Sequence, residues 1–129
     1  MTASRRTGAA GLALLRRRLA GLPAAIWDGS GDNPYYAYLS VADALLVTAD
    51  SVSMISEAAA TGKPVQVIEL AGGDAKFRRF HATMRRLGIT RPFAGEIEDW
   101  SYTPPDDNAR AGAALRRLIE TRLATRQRV

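Results

Sequence analysis

Two short apolar runs constrain this chain most: Ala44-Leu45-Leu46-Val47-Thr48 and Val65-Gln66-Val67-Ile68-Glu69-Leu70. Each is aliphatic and too short for a buried helix, so each reads as a strand buried on both faces. Between them a polar turn at Ala49-Asp50-Ser51-Val52 leads into a helix over residues 53–61. Gly62 stands near its C-cap and Pro64 lies beyond it. Strand, helix and strand at this spacing imply a parallel sheet covered on both faces, since parallel neighbours need a crossover. Right-handed crossovers make the expected fold class α/β, a Rossmann-like three-layer α/β/α structure.

The flanking segments extend the pattern. Leu12, Leu15 and Leu19 fall at helix spacing, and Gly21 and Pro23 stop that helix. Residues 24–27 form a short apolar strand, ended by Asp28-Gly29-Ser30-Gly31-Asp32-Asn33-Pro34. Residues 35–42 give one or two turns of helix. Phe77, Phe80, Met84 and Leu87 mark one face of a helix ending at Gly88. Residues 90–105 read mostly as loop, with one short strand near 94–97 and with Trp100 and Tyr102 pinning it. Asn108 caps a final helix whose apolar face holds Leu115, Leu118, Ile119 and Leu123. Ser4-Arg5-Arg6-Thr7 reads as the turn after a strand, yet only three residues precede it. The expectation is a single domain over residues 1–129 that lacks its first strand and belongs to a longer protein.

Composition narrows the chemistry. There is no Cys, hence no disulfide framework, thiolate catalysis or Cys-zinc site, and one His argues against His-based metal sites. No apolar run is long enough to cross a bilayer, and no signal peptide stands out, so a cytoplasmic location is the default. The net charge of +5 sits at the two ends, where Arg dominates, while the middle is acidic on balance. Basic ends suit anionic lipid, nucleic acid or a phosphorylated ligand, or are solvated helix faces. The aromatics do not interleave with the Arg clusters, which argues against a nucleic-acid partner.

The turn after the first strong strand is the candidate site. Asp50, Ser51 and Ser53 place side-chain oxygens and backbone N–H groups at a helix N-terminus, a place that suits a phosphate. Glu57 follows one turn later. The alternative is ordinary helix capping, although Glu57 lies too far along for a capping box. Arg5 and Arg6 precede a helix start and are either phosphate contacts or solvated. Asp28 and Asp32 either close an Asx turn or touch a base or sugar. Tyr35 packs its short helix or lines a cleft. His81 reads as structural, and Lys63 does not have P-loop spacing. No catalytic dyad or metal cluster is visible, and no cofactor is expected.

Several segments in order carry a family resemblance: Ser4-Arg5-Arg6-Thr7, Trp27-Asp28-Gly29-Ser30-Gly31-Asp32-Asn33-Pro34-Tyr35, the run from Val47 to Glu57, Thr61-Gly62-Lys63-Pro64-Val65, Lys76-Phe77-Arg78-Arg79-Phe80-His81 and Trp100-Ser101-Tyr102. Together they resemble the C-terminal half of the mitochondrial fission, elongated-mitochondria family. More distantly the chain is similar to the C-terminal donor-binding domain of GT-B glycosyltransferases, in which two Rossmann-like domains face each other across a cleft. That likeness implies a nucleotide-sugar ligand. Glu57 would accept the ribose hydroxyls, and Ser51, Ser53 and Met54 would meet the diphosphate. Ser4, Arg5, Arg6 and Thr7 would form a first phosphate-side turn, with Arg in place of the usual Gly-rich approach. Asp32 and Asn33 would lie near the base. A facing N-terminal domain would be needed for glycosyl transfer.

Three functional expectations follow. The first is a nucleotide-sugar-binding domain of a GT-B-like glycosyltransferase. The second is a non-catalytic interaction module with a protein partner or an anionic membrane surface, because the resemblance includes plant members that recruit a dynamin-related protein. The third is an orphaned fragment with no independent function, for which self-association through the incomplete sheet is expected.

Overall fold

The computed structural model describes residues 1–3, 7–72 and 75–126. In chain order the elements are α1 (Gly8–Arg18), α2 (Tyr35–Val41), β1 (Leu45–Thr48), α3 (Val52–Ala59), β2 (Val65–Ile68), α4 (Ala75–Arg86), β3 (Thr90–Pro92) and α5 (Asp107–Arg126). The three strands form one parallel sheet in the order β1-β2-β3, with Leu45 opposite Val65 and Val65 opposite Thr90. Helices α3 and α4 are the two crossovers. The expected Rossmann-like α/β fold is therefore present.

The core forms around β2, the central strand. Val65 and Val67 are fully buried, and Val47, Met84 and Ile89 join them. Helix α3 contributes Ile55, Ala58 and Ala59, a spacing of three and four residues that lays one stripe on the sheet. The two alanines let the helix backbone approach closely. In α4, His81 and Met84 are buried and Phe77 and Phe80 half-buried, the same stripe over two turns. Leu87 lies past the last turn of α4 and is exposed, so it leaves the face expected of it.

Gln66 is a polar residue in the central strand, and it is buried. Its amide donates to Glu96 O at 3.0 Å, and its carbonyl accepts from Glu98 N at 3.3 Å. Both ends of the amide are thus satisfied, as a buried polar group requires. The same bonds tie the 96–98 loop to the sheet. Trp100 and Tyr102 pin the remainder, as their bulk suggests. Trp100 Nε1 donates to Gly88 O at 3.0 Å, and the Arg91 guanidinium lies 4.6 Å from its ring centre. The Tyr102 hydroxyl lies 3.0 Å from Ala59 O and 2.8 Å from Lys63 O, just past the end of α3.

Two boundaries differ from expectation. The third strand is Thr90–Pro92, not a segment near 94–97. Pro92 reads as a breaker, but β3 is an edge strand, where a missing N–H on the open side costs no ladder bond. Ile89 and Thr90 are buried, and Ile97 is exposed. The final helix starts at Asp107, its first turn closing from Arg110 N to Asp106 O at 3.1 Å, so the cap position falls before Asn108.

The N-terminal region is organised separately. Residues 1–3 run parallel to 25–27 through a single bridge, Thr2 to Trp27. Trp27 N donates to Met1 O at 2.9 Å, and Ala3 N to Trp27 O at 3.2 Å. Among the described residues, the expected strand over 24–27 is represented by this bridge. Helix α1 buries no residue completely. Helix α5 is exposed along its apolar positions, with Leu115 at 58%, Leu118 at 66%, Ile119 at 50% and Leu123 at 55% of full exposure.

Candidate functional site

The β1–α3 turn is built as the sequence suggests. The Thr48 hydroxyl donates to Asp50 Oδ1 at 2.6 Å, and Ser51 N reaches back to Thr48 O at 3.3 Å. Ser51 occupies the N-cap position of α3, yet its side chain makes no capping hydrogen bond. Simple capping therefore does not account for the Ser51 hydroxyl. Ser53 is exposed in the first turn, Met54 is half-buried beside it, and Glu57 is exposed one turn further on. The positive end of the helix dipole and these polar groups lie at the carboxyl end of β1, the usual mouth of a parallel sheet.

A cleft of about 200 Å³ opens beside this turn, lined by Thr2, Ala3, Trp27, Asn33, Tyr35 and Met54. It draws together three separate segments: the N-terminal residues, the 27–35 loop and α3. Trp27 is oriented by its indole N–H, which donates to Ser30 O at 2.7 Å. Asn33 Oδ1 accepts from Tyr35 N at 3.0 Å, an Asx turn that starts α2. The Tyr35 hydroxyl is buried and has no hydrogen-bond partner. Burial first, then the neighbouring Glu57 carboxylate, hold its ionisation well above that of an ordinary phenol. Tyr35 therefore stays a neutral O–H donor.

The candidate residues divide clearly. Asn33 and Met54 line the cleft, and Glu57 meets it through Tyr35. Ser51 and Ser53 lie at the adjoining helix start. Asp32 is exposed and does not line the cleft; Asp28, its partner across the turn, closes an Asx turn by accepting Ser30 N at 3.1 Å and the Ser30 hydroxyl at 2.6 Å. Those two bonds, followed by the Arg16 ion pair at 2.5 Å, hold the Asp28 carboxyl below its ordinary value. Thr7 sits at the start of α1. Ser4, Arg5 and Arg6 lie outside the described residues. Thr2, Ala3 and Trp27 carry no chemical signature in the sequence. Only the close return of the first three residues onto the 25–27 segment gives them a place here.

Two other polar residues have structural work. Lys63 Nζ donates to Leu39 O at 2.9 Å and Ser40 O at 2.6 Å, which places its charge on the carbonyl end of α2. His81 Nε2 meets Ala49 O at 2.8 Å, so this ring nitrogen carries the proton and the imidazole braces the end of β1. His81 also walls a second hollow of about 170 Å³, with Asp50, Glu69 and Arg78. Among the described residues no cluster of three or more His, Cys, Asp or Glu side chains could hold a metal ion. No described helix is long and apolar enough to cross a membrane.

A family model described as mitochondrial fission ELM1 matches residues 1–119. The chain belongs to the mitochondrial fission ELM1 family. One family relative, the mitochondrial fission protein ELM1 of Arabidopsis thaliana, is 44% identical over 100 residues, covering 75% of this chain and 23% of that protein. The uncharacterized protein RP120 of Rickettsia prowazekii (strain Madrid E) is 37% identical over 87 residues, covering 61% of this chain and 25% of its own length. The chain thus spans about a quarter of the length of the curated relatives it matches. No solved structure matches it. Within the ELM1 family match lie the whole sheet, the cleft and the first part of α5.

Proposed function

We propose that this chain binds a nucleoside diphosphate sugar, in the manner of the donor-binding half of a GT-B-like glycosyltransferase. The observation that carries the reading is the cleft between Trp27, Tyr35 and Met54, set against a helix start whose N-cap residue, Ser51, makes no side-chain capping bond. Its apolar walls suit a flat base, and the start of α3 offers N–H groups and the Ser51 and Ser53 hydroxyls to phosphate oxygens. Glu57 offers a carboxylate to the ribose hydroxyls. The same helix end would stabilise charge growing on a departing diphosphate. In this reading the chain holds the donor, and activation of the acceptor comes from a facing domain. Isothermal calorimetry with UDP- and GDP-sugars tests it. Binding is expected, weakened about tenfold or more in Glu57→Ala and several-fold in Ser53→Ala. No binding to any of these nucleotides, or variants that bind as wild type does, overturns it.

A second reading rests on α5. Its leucines are exposed alongside Arg110, Arg116, Arg117 and Arg122, a combination that suits a protein partner or an anionic membrane surface. Sedimentation with phosphatidylserine vesicles would show binding that fades with added salt. Absence of binding at low salt counts against the membrane form of this reading.

A further inference from the structure

Among the described residues lining the cleft, Tyr35 is the one whose polar atom is both buried and without a partner. Three contacts fix its position. Its backbone N–H is held by Asn33 Oδ1 at 3.0 Å, its place at the head of α2 is set by Pro34, and its ring packs edge-on to Tyr36 with centroids 5.3 Å apart. A phenol so placed cannot turn away to water, and an unmade hydrogen bond in a buried position is costly. The charged group beside it is Glu57, which lies three residues beyond Met54 and so on the same face of α3. Glu57 is exposed, with a flexible side chain. The rigid donor and the mobile acceptor are therefore neighbours.

We infer that Tyr35 is a positioning residue for Glu57: its phenol O–H takes one carboxylate oxygen when a vicinal diol occupies the cleft, leaving the other oxygen for the ligand hydroxyls. The inference rests on the nucleotide reading of this cleft and adds the residue that orders its acceptor. A carboxylate held at one oxygen presents the second in a fixed direction, so less side-chain freedom is lost when the diol binds. The buried phenol gains its missing partner at the same moment. The ligand part concerned is the ribose; the base and phosphates are bound independently of Tyr35.

Calorimetry on the full chain with UDP and 2′,3′-dideoxy-UDP separates these contributions. Tyr35→Phe keeps the ring and its packing and removes only the oxygen. UDP affinity is expected to fall about tenfold in Tyr35→Phe, while dideoxy-UDP affinity stays within about twofold of wild type. In a Glu57→Gln background the same change is expected to add less than about twofold, because the two residues act as one unit. Equal losses for the two nucleotides, additive losses in the double variant, or unchanged UDP affinity in Tyr35→Phe would each overturn the role of Tyr35. Wild-type protein that binds neither nucleotide instead overturns the nucleotide reading itself, and the ligand named here with it.

Discussion

The β1–β3 block and helix α5 both carry aliphatic side chains at helix or strand spacing but use them in opposite ways. In the block, Ile55, Val65 and Val67 are shut away from water around one central strand. In α5, Leu115, Leu118, Ile119 and Leu123 stay open to solvent on a helix of 20 residues. The helix obeys the same spacing rule as α3, so periodicity alone does not bury a face. A second surface is needed, and within the described residues only the block provides one for itself. The free energy that maintains the fold is therefore concentrated in fewer than half of the residues.

The contrast is sharpest for single truncations. Ile55→Ala removes a fully buried side chain between α3 and the sheet and is expected to cost about 3 kcal/mol, read from the midpoint of urea unfolding. Gln66→Ala comes next. It strips the partners from Glu96 O and Glu98 N and opens a hole under the 96–98 loop, and a loss of about 2 kcal/mol is expected. Hydrogen exchange at the 96–98 amides would rise in that variant more than exchange in α3. Leu118→Ala, by contrast, is expected to shift stability by less than about 0.5 kcal/mol; a loss near that of Ile55→Ala would show that α5 is buried in solution and would break the comparison.

The smallest effect concerns Asp28, outside both regions. Its folded-state ionisation lies below the ordinary value of 3.8, chiefly through the two bonds from Ser30. The carboxylate form is thus the one favoured by folding. Its contribution is present above that ordinary value and is lost as pH falls through the lowered one. Thermal unfolding of Asp28→Asn should therefore differ from wild type at neutral pH, with the two curves converging in acid.

Much of the block is written plainly in the chain. Two aliphatic runs flanking a helix with Gly62 and Pro64 behind it leave little freedom, and β1, α3 and β2 fall within a residue or two of expectation. Strand β3 is harder to read because Thr90-Arg91-Pro92 lacks an apolar run, and its pairing depends on an edge position that only the assembled sheet defines. The site divides in the same manner. Ser51, Ser53, Met54 and Glu57 are local to one turn and one helix, so sequence spacing alone groups them. Trp27, Thr2 and Ala3 reach the cleft only through the return of the first residues onto the 25–27 segment, a long-range contact with no local signal. Asp32, in the same loop as Asn33, is exposed and does not line the cleft.

Gly62 ends α3 at φ +75°, and a Cβ at that position would stand 3.1 Å from the Pro104 ring. Two independent obstacles meet at one residue: an unfavourable backbone angle and a crowded neighbour. In a saturation library the column for position 62 should be close to empty, and replacing Pro104 by a smaller residue would relieve only the second obstacle. Mutational tolerance would then be read as a map of the strap that Tyr102 and Pro104 lay across the tail of α3, drawn without any ligand.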